Sequence, residues 1–166
     1  PSRGSFNGFH ASMASVSKTC LVRFDNVRYS VASRAVGRPV EVQAYAGRII
    51  IRQDGAVVAE HARSFTRGET VYDPWHYVPV LTRKPGAWRN GAPFKDWVLP
   101  SGLERVRRKL RGSDDGDRQM VSILAAVLTD GLATVEAACI EALDQGTHSA
   151  DVILNILSRK RDTPPP

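Results

Sequence analysis

Histidine, cysteine and carboxylate side chains are where catalysis would start, and their spacing in this chain offers little. The histidines are His10, His61, His76 and His148, and the cysteines are Cys20 and Cys139. No HxxxH, CxxC, GxSxG or P-loop pattern occurs. His76 is the one tempting base, lying between Trp75 and Tyr77 with Asp73 near enough in sequence to orient it. A histidine set among aromatic rings more commonly bonds a backbone group, so the expectation for His76 is structural. Asp114, Asp115 and Asp117 crowd the stretch SDDGD, but they lack the alternating ligand spacing and distal Glu of a calcium loop. Helix capping explains them better. Cys20 and Cys139 read as buried free thiols in a reducing compartment.

The stronger chemical signal is cationic. Residues 1–112 hold 19 Lys and Arg against 8 Asp and Glu, a net +11, whereas residues 113–166 hold 4 against 9, a net −5. A basic front and an acidic rear imply different partners. Clustered arginine is rewarded on a polyanion, because each phosphate neutralised releases condensed counterions. The basic residues are interleaved with aromatics, the pattern by which cationic grooves hold backbones and stack exposed bases. The candidates for nucleic-acid contact are Arg23, Arg28, Arg38, Arg83, Lys84, Arg89 and Lys95, then Arg105, Arg107, Arg108 and Lys109. Trp88 and Trp97 are expected to serve packing first.

Elements must position these groups. Residues 1–16, rich in Ser, Gly and Ala, read as disordered and lack the apolar core of a signal peptide. The chain starts at Pro1, so it is expected to be processed or part of something longer. From 17 to 66 the pattern is short alternating strands: TCLVRFD, VRYSVA, PVEVQAYA, RIIIRQ and AVVAEHA. Asp25-Asn26 and Asp54-Gly55 supply the turns. Five short strands in succession favour a small antiparallel barrel, because closure removes sticky edges. The expected class is therefore α+β.

Residues 67–100 form a connector rich in proline and aromatic rings. Pro74, Pro79, Pro85 and Pro93 argue against regular helix or central strand there. A basic helix follows at 101–112, with Leu103, Val106 and Leu110 on one face. After the linker GSDDGD come three amphipathic helical patterns within 113–161, expected to pack as a small three-helix unit. Asp117 and Ser149 are the expected N-caps, Gly131 and Gly146 the expected stops. Residues 162–166 read as a frayed tail. No apolar run approaches the roughly 18 residues a membrane span requires.

The stretches VSKTCLVRFDNVRYSV and GRPVEVQAYAGRIIIRQDGAVVAEHARSF resemble the C-terminal β-barrel region of the insertion-sequence transposase IstA. That family is grouped with the Mu transposase and retroviral-integrase-like enzymes. RGETVYDPWHYVPVLTRKPGAWRNGAPFKDW, GDRQMVSILAAVLTDGLATVEAACIEAL and HSADVILNILSR are similar to the segments that follow in that family. The resemblance covers roughly residues 16–161. It implies a DNA transposase acting in transposition and integration of a mobile element in the bacterial cytoplasm. It also implies that the catalytic ribonuclease-H-like domain, with its carboxylate triad and magnesium, lies outside this chain, since no acidic residue here matches the triad. No cofactor is expected for this chain, and it is not expected to be an enzyme by itself. The implied partners are DNA, other transposase subunits and an IstB-like AAA+ ATPase, the last two through the acidic helical tail. One position departs from the pattern: after YSV the family leads to proline, and Ala32 stands here, which is expected to loosen the strand end. On this reading the connector is a strap, stiffened by proline, anchored by rings and lying along DNA. Two rivals come from other classes. One is a free-standing nucleic-acid-binding barrel with a helical interaction tail, and the other a small hydrolase using His76 and Asp73.

Overall fold

The computed structural model describes residues 8–162. The chain forms two compact units that divide between Tyr77 and Val78. The expected disorder of residues 1–7 and of 163–166 lies outside the described residues.

The first unit is built on strands. They are β1 (His10–Ala14), β2 (Leu21–Phe24), β3 (Val27–Ser30), β4 (Val40–Ala44), β5 (Arg48–Gln53), β6 (Ala56–Ala62) and β7 (Thr70–Val71). The hairpin turns fall where the sequence placed them. Asp25 and Asn26 have φ of 51° and 64°, and Asp54 and Gly55 have 51° and 83°. Positive φ at both central residues is the geometry that matches strand twist, and Asn, Asp and Gly tolerate it. Alternation then decides the faces: Val22, Val27, Tyr29, Val40, Val42, Ile49 and Ile51 are buried.

Pairing between strands departs from the expected single five-stranded antiparallel barrel. One sheet runs β1-β4-β5-β6 and a second runs β2-β3-β7. The β3–β7 pair is parallel, and among the described residues no ladder closes either sheet on itself. Residues 10–14, expected to be disordered, pair with β4 from His10↔Ala44 to Ala14↔Val40. Ladder hydrogen bonds belong to the backbone, so an open edge on β4 recruits a segment with no strand signature of its own. Ala32 also departs from expectation. Its N–H donates to Val58 O at 2.9 Å, a bond that proline could not make, so the substitution ties the end of β3 to β6.

The second unit is helical: α1 (Val78–Leu81), α2 (Ala87–Asn90), α3 (Ser101–Leu110), α4 (Gly116–Asp130), α5 (Leu132–Asp144) and α6 (Ala150–Asp162). The proline-rich connector thus holds helical turns after all, including 3-10 turns at Pro74–Tyr77 and Ala92–Phe94. Pro74, Pro79 and Pro93 each fall in the first turn, where a missing N–H breaks nothing. The connector is also divided, since the boundary between the units falls inside it.

Four longer helices bury the predicted stripes. Leu103, Val106 and Leu110 meet Met120, Ile123, Leu124, Val135, Ala138, Cys139, Ile153, Ile156 and Leu157 in one core. Leu128 and Leu132 are exposed. They flank Gly131, whose φ of 90° ends α4 and opens α5. Ser149 caps α6 as expected, its Oγ accepting the Asp151 N–H at 3.2 Å. Asp117 is not a cap: it sits inside the first turn of α4, where Asp115 holds the N-cap position. The start of α3 is closed by a distant carboxylate, Glu136, which accepts the N–H groups of Gly102 and Leu103 at 2.7 and 2.9 Å.

Candidate nucleic-acid interface

His76, the tempting base, proves to be part of a buried polar hub. Ser30 Oγ lies 2.7 Å from His76 Nδ1 and accepts the Asp73 N–H at 2.8 Å. The Asp73 N–H occupies one lone pair of the hydroxyl, and the hydroxyl's own proton is directed at Nδ1 in the tautomer that keeps the His76 proton on Nε2. That edge faces Asp73 Oδ2, 3.6 Å away. His61 Nε2 donates to Ser30 O at 2.6 Å, and the His61 and His76 rings meet edge to face at 5.6 Å. The expected backbone partner of His76 is therefore a side-chain hydroxyl. Burial pushes the His76 pKa down to about 4, with the Asp73 carboxylate opposing and the charges of His61 and Arg34 adding to the shift. The serine–histidine–aspartate trio superficially resembles a nucleophile set. Ser30 is 0% exposed, so its hydroxyl is closed to a substrate. The hub fastens residues 73–77 to β3 and β6. Tyr77 helps, donating its hydroxyl to Thr19 O at 2.7 Å, and its burial raises its pKa.

Among the described residues no group of three His, Cys, Asp or Glu is placed to hold a metal ion. Cys20 and Cys139 are both buried free thiols. Burial raises both, Cys139 to about 12 with the nearby Glu136 carboxylate assisting, so neither is a reactive thiolate. No described helix is long and apolar enough to cross a membrane.

The basic residues sort by whether a carboxylate already holds them. In the strand unit, Arg23 and Arg28 stand directly opposite each other across the β2–β3 hairpin. Both are exposed. Arg23 reaches only Asn26 Oδ1, at 3.2 Å, and neither has an acidic partner among the described residues. Like charges placed opposite in a ladder cost stability, and this pair carries that cost on an exposed face. Arg38 differs: it is tied to Asp54 and to Gln53 Oε1 at 3.4 Å, holding the loop before β4 on the β5–β6 turn.

In the helical unit, Arg83, Lys84 and Lys95 are exposed on the short turns around α2. On α3, Glu104 engages Arg107 at 3.7 Å and Arg108 at 3.2 Å. Arg105 and Lys109 are exposed; four residues apart, they share a helix face. Trp88, Phe94 and Trp97 form a cluster of rings 5.8–5.9 Å apart, and the Arg107 guanidinium lies 5.7 Å over Trp88. Trp88 and Phe94 are buried, whereas Trp97 is half-buried.

Beside this cluster opens a recess of about 100 Å³, lined by Trp88, Arg89, Phe94, Arg107, Arg111 and Asp117 among others. Arg89 bonds Asp117 across it at 3.2 Å. Arg111, which lines the recess, and Arg63 and Arg67 in the strand unit are cations outside the expected set, and of these Arg63 is paired with Asp25 at 3.7 Å. The composition of each neighbourhood was the available signal, but only folding shows which cations lack acids.

Residues 1–73 match the family described as Mu transposase, C-terminal domain. A transposase of Aminobacter aminovorans is 39% identical over 174 residues, an alignment covering 99% of this chain and 34% of the relative. Transposases for insertion sequences IS1326/IS1353 from Pseudomonas aeruginosa and Shigella flexneri are each 39% identical over 166 residues, covering 97% of this chain and 32% of their own length. No solved structure matches. The chain thus spans about a third of the length of the curated relatives it matches, and over nearly all of its own length it is similar to transposases.

Proposed function

We propose that this chain is the C-terminal portion of an IstA-type transposase and that it contributes sequence-tolerant DNA binding and protein contacts to transposition. One observation carries the reading: Arg23 and Arg28 oppose each other across an exposed hairpin, and among the described residues neither forms an ion pair with a carboxylate. A fold keeps such a repulsive pair where an external anion repays it. In the helical unit, Arg83, Lys84, Lys95, Arg105 and Lys109 supply further phosphate contacts, and Arg89, Arg107 and Arg111 line the recess.

Arginine and lysine aimed at phosphates position a duplex without reading its bases. In the strand unit the two sheets are bridged by the Ala32–Val58 and His61–Ser30 bonds. Cutting and joining belong to a separate ribonuclease-H-like domain that uses magnesium, and no step of that chemistry passes through this chain. The acidic helical tail is the surface offered to other transposase subunits or to an IstB-like ATPase.

The test is fluorescence anisotropy of labelled duplexes over a salt series. The expected result is a steep linear fall of log K against log salt, by roughly 0.9 per phosphate neutralised, with similar affinity for unrelated sequences. Binding that survives high salt, or that discriminates strongly between duplexes, refutes the reading.

A further inference from the structure

Phe65 is 68% exposed, and the loop that presents it is more firmly held than a surface loop requires. Tyr29 Oη accepts the Ser64 N–H at 3.0 Å. Ser64 Oγ accepts the Thr66 N–H at 3.2 Å and donates to Glu69. The Glu69 N–H bonds Thr66 O at 3.1 Å, the Gly68 N–H bonds Asn26 O at 2.7 Å, and the Arg28 N–H bonds Glu69 O at 3.0 Å. Residues 64–69 are thereby fastened to the β2–β3 hairpin and its turn. Single exposed apolar residues are ordinary on protein surfaces; a pinned loop with an aromatic ring displayed on it is not.

The surroundings of the ring state its ligand. The Arg63 guanidinium lies 4.9 Å over Phe65 and 5.6 Å over Phe24. It is fixed by Tyr45 O at 2.8 Å and by Asp25 at 3.7 Å. Arg23 reaches the same turn through Asn26, Arg28 stands opposite Arg23, and Arg67 is exposed on the loop itself. The four arginines outnumber the two local carboxylates, Asp25 and Glu69. An exposed ring among cations suits a ligand that offers an aromatic face and a phosphate together.

We propose that Phe65 is a stacking residue for a nucleobase, with Arg23, Arg28 and Arg67 holding the adjoining phosphates. This rests on the DNA-binding reading above and assigns the aromatic contact within it. A ring can stack on a base displaced from the helix or wedge against a base step, and either contact tolerates any sequence.

The experiment compares the unaltered chain with Phe65→Ala, Phe65→Leu and Phe65→Trp. The probes are a short duplex and the same duplex carrying a central mismatched bubble. Tighter binding to the bubbled duplex is expected. Phe65→Ala should weaken that binding by about 5- to 150-fold and leave the salt slope unchanged, since no phosphate contact is lost. Phe65→Trp should retain the affinity and Phe65→Leu should lose it, with melting temperatures close to the parent because the side chain is exposed. If the chain binds DNA but Phe65→Ala or Phe65→Leu binds as well as the parent, stacking is wrong and the phosphate reading stands. If the chain binds neither probe, both fall. Self-association without DNA that Phe65→Ala abolishes would mark the ring as a contact between copies and overturn the proposal.

Discussion

Replacing Arg28 by threonine should change stability and DNA binding in opposite directions. Arg28 and Arg23 are paired across β2 and β3, and directly opposed like charges cost about 0.2–1 kcal/mol relative to a neutral pair. Threonine favours strand geometry, and the Arg28 N–H that bonds Glu69 O is untouched. Removing the charge should therefore raise the melting temperature of the strand unit by about 1–8 °C. The gain should shrink as salt is added, because the repulsion is exposed and screened. Binding moves the other way. Losing one phosphate contact lowers the salt slope by roughly 0.9, so each tenfold dilution of salt should widen the affinity gap from the parent about eightfold. The assays are a calorimetric melt at two salt concentrations and anisotropy on a mixed-sequence duplex. A variant that melts lower than the parent would show that Arg28 contributes packing and not repulsion. A variant that binds with an unchanged slope would remove this hairpin from the interface.

Other consequences concern the framework. A β-carbon on Gly116 would sit 2.0 Å from Leu110 O; backbone cannot yield cheaply there, so Gly116→Ala should cost about 3 kcal/mol in chemical denaturation, and a neutral outcome would contradict the packing of α3 on α4. Glu136→Ala removes the acceptor for the Gly102 and Leu103 amides; loss of this cap should cost about 1–2 kcal/mol and speed hydrogen exchange at those two amides. His76 is held neutral down to about 4 against an ordinary 6.5, so the unfolded chain takes up the proton first. Its contribution is complete above pH 6.5 and is lost as pH falls from there through 4. The interval corresponds to at most about 3 kcal/mol. The melting temperature of His76→Asn should fall less than that of the parent between neutral pH and pH 4.5, and parallel curves would exclude His76 as the source.

Local sequence determined what local backbone energetics can determine. Asp25-Asn26 and Asp54-Gly55 specify their hairpins because those residues tolerate positive φ, and the turn then fixes the register of the strands it joins. The stripes of α3 to α6 were legible from their period, and Gly131 as their break, because apolar residues repeating every three to four positions have one way to leave water. Whether a segment pairs, caps or pays for charge depends on atoms far away in the chain, and tertiary structure decided those matters. β1 exists because β4 had a free edge. Ser30, two residues along the strand from exposed Arg28, is buried because His61, His76 and the Asp73 amide converge on it. Glu136 caps a helix that begins 35 residues before it. The site divides in the same way: composition nominated arginines in bulk, but folding paired Arg38 with Asp54 and Arg89 with Asp117 while leaving Arg23 facing Arg28. Charge is written in the sequence; the distance to a neutralising partner is set only when the chain closes.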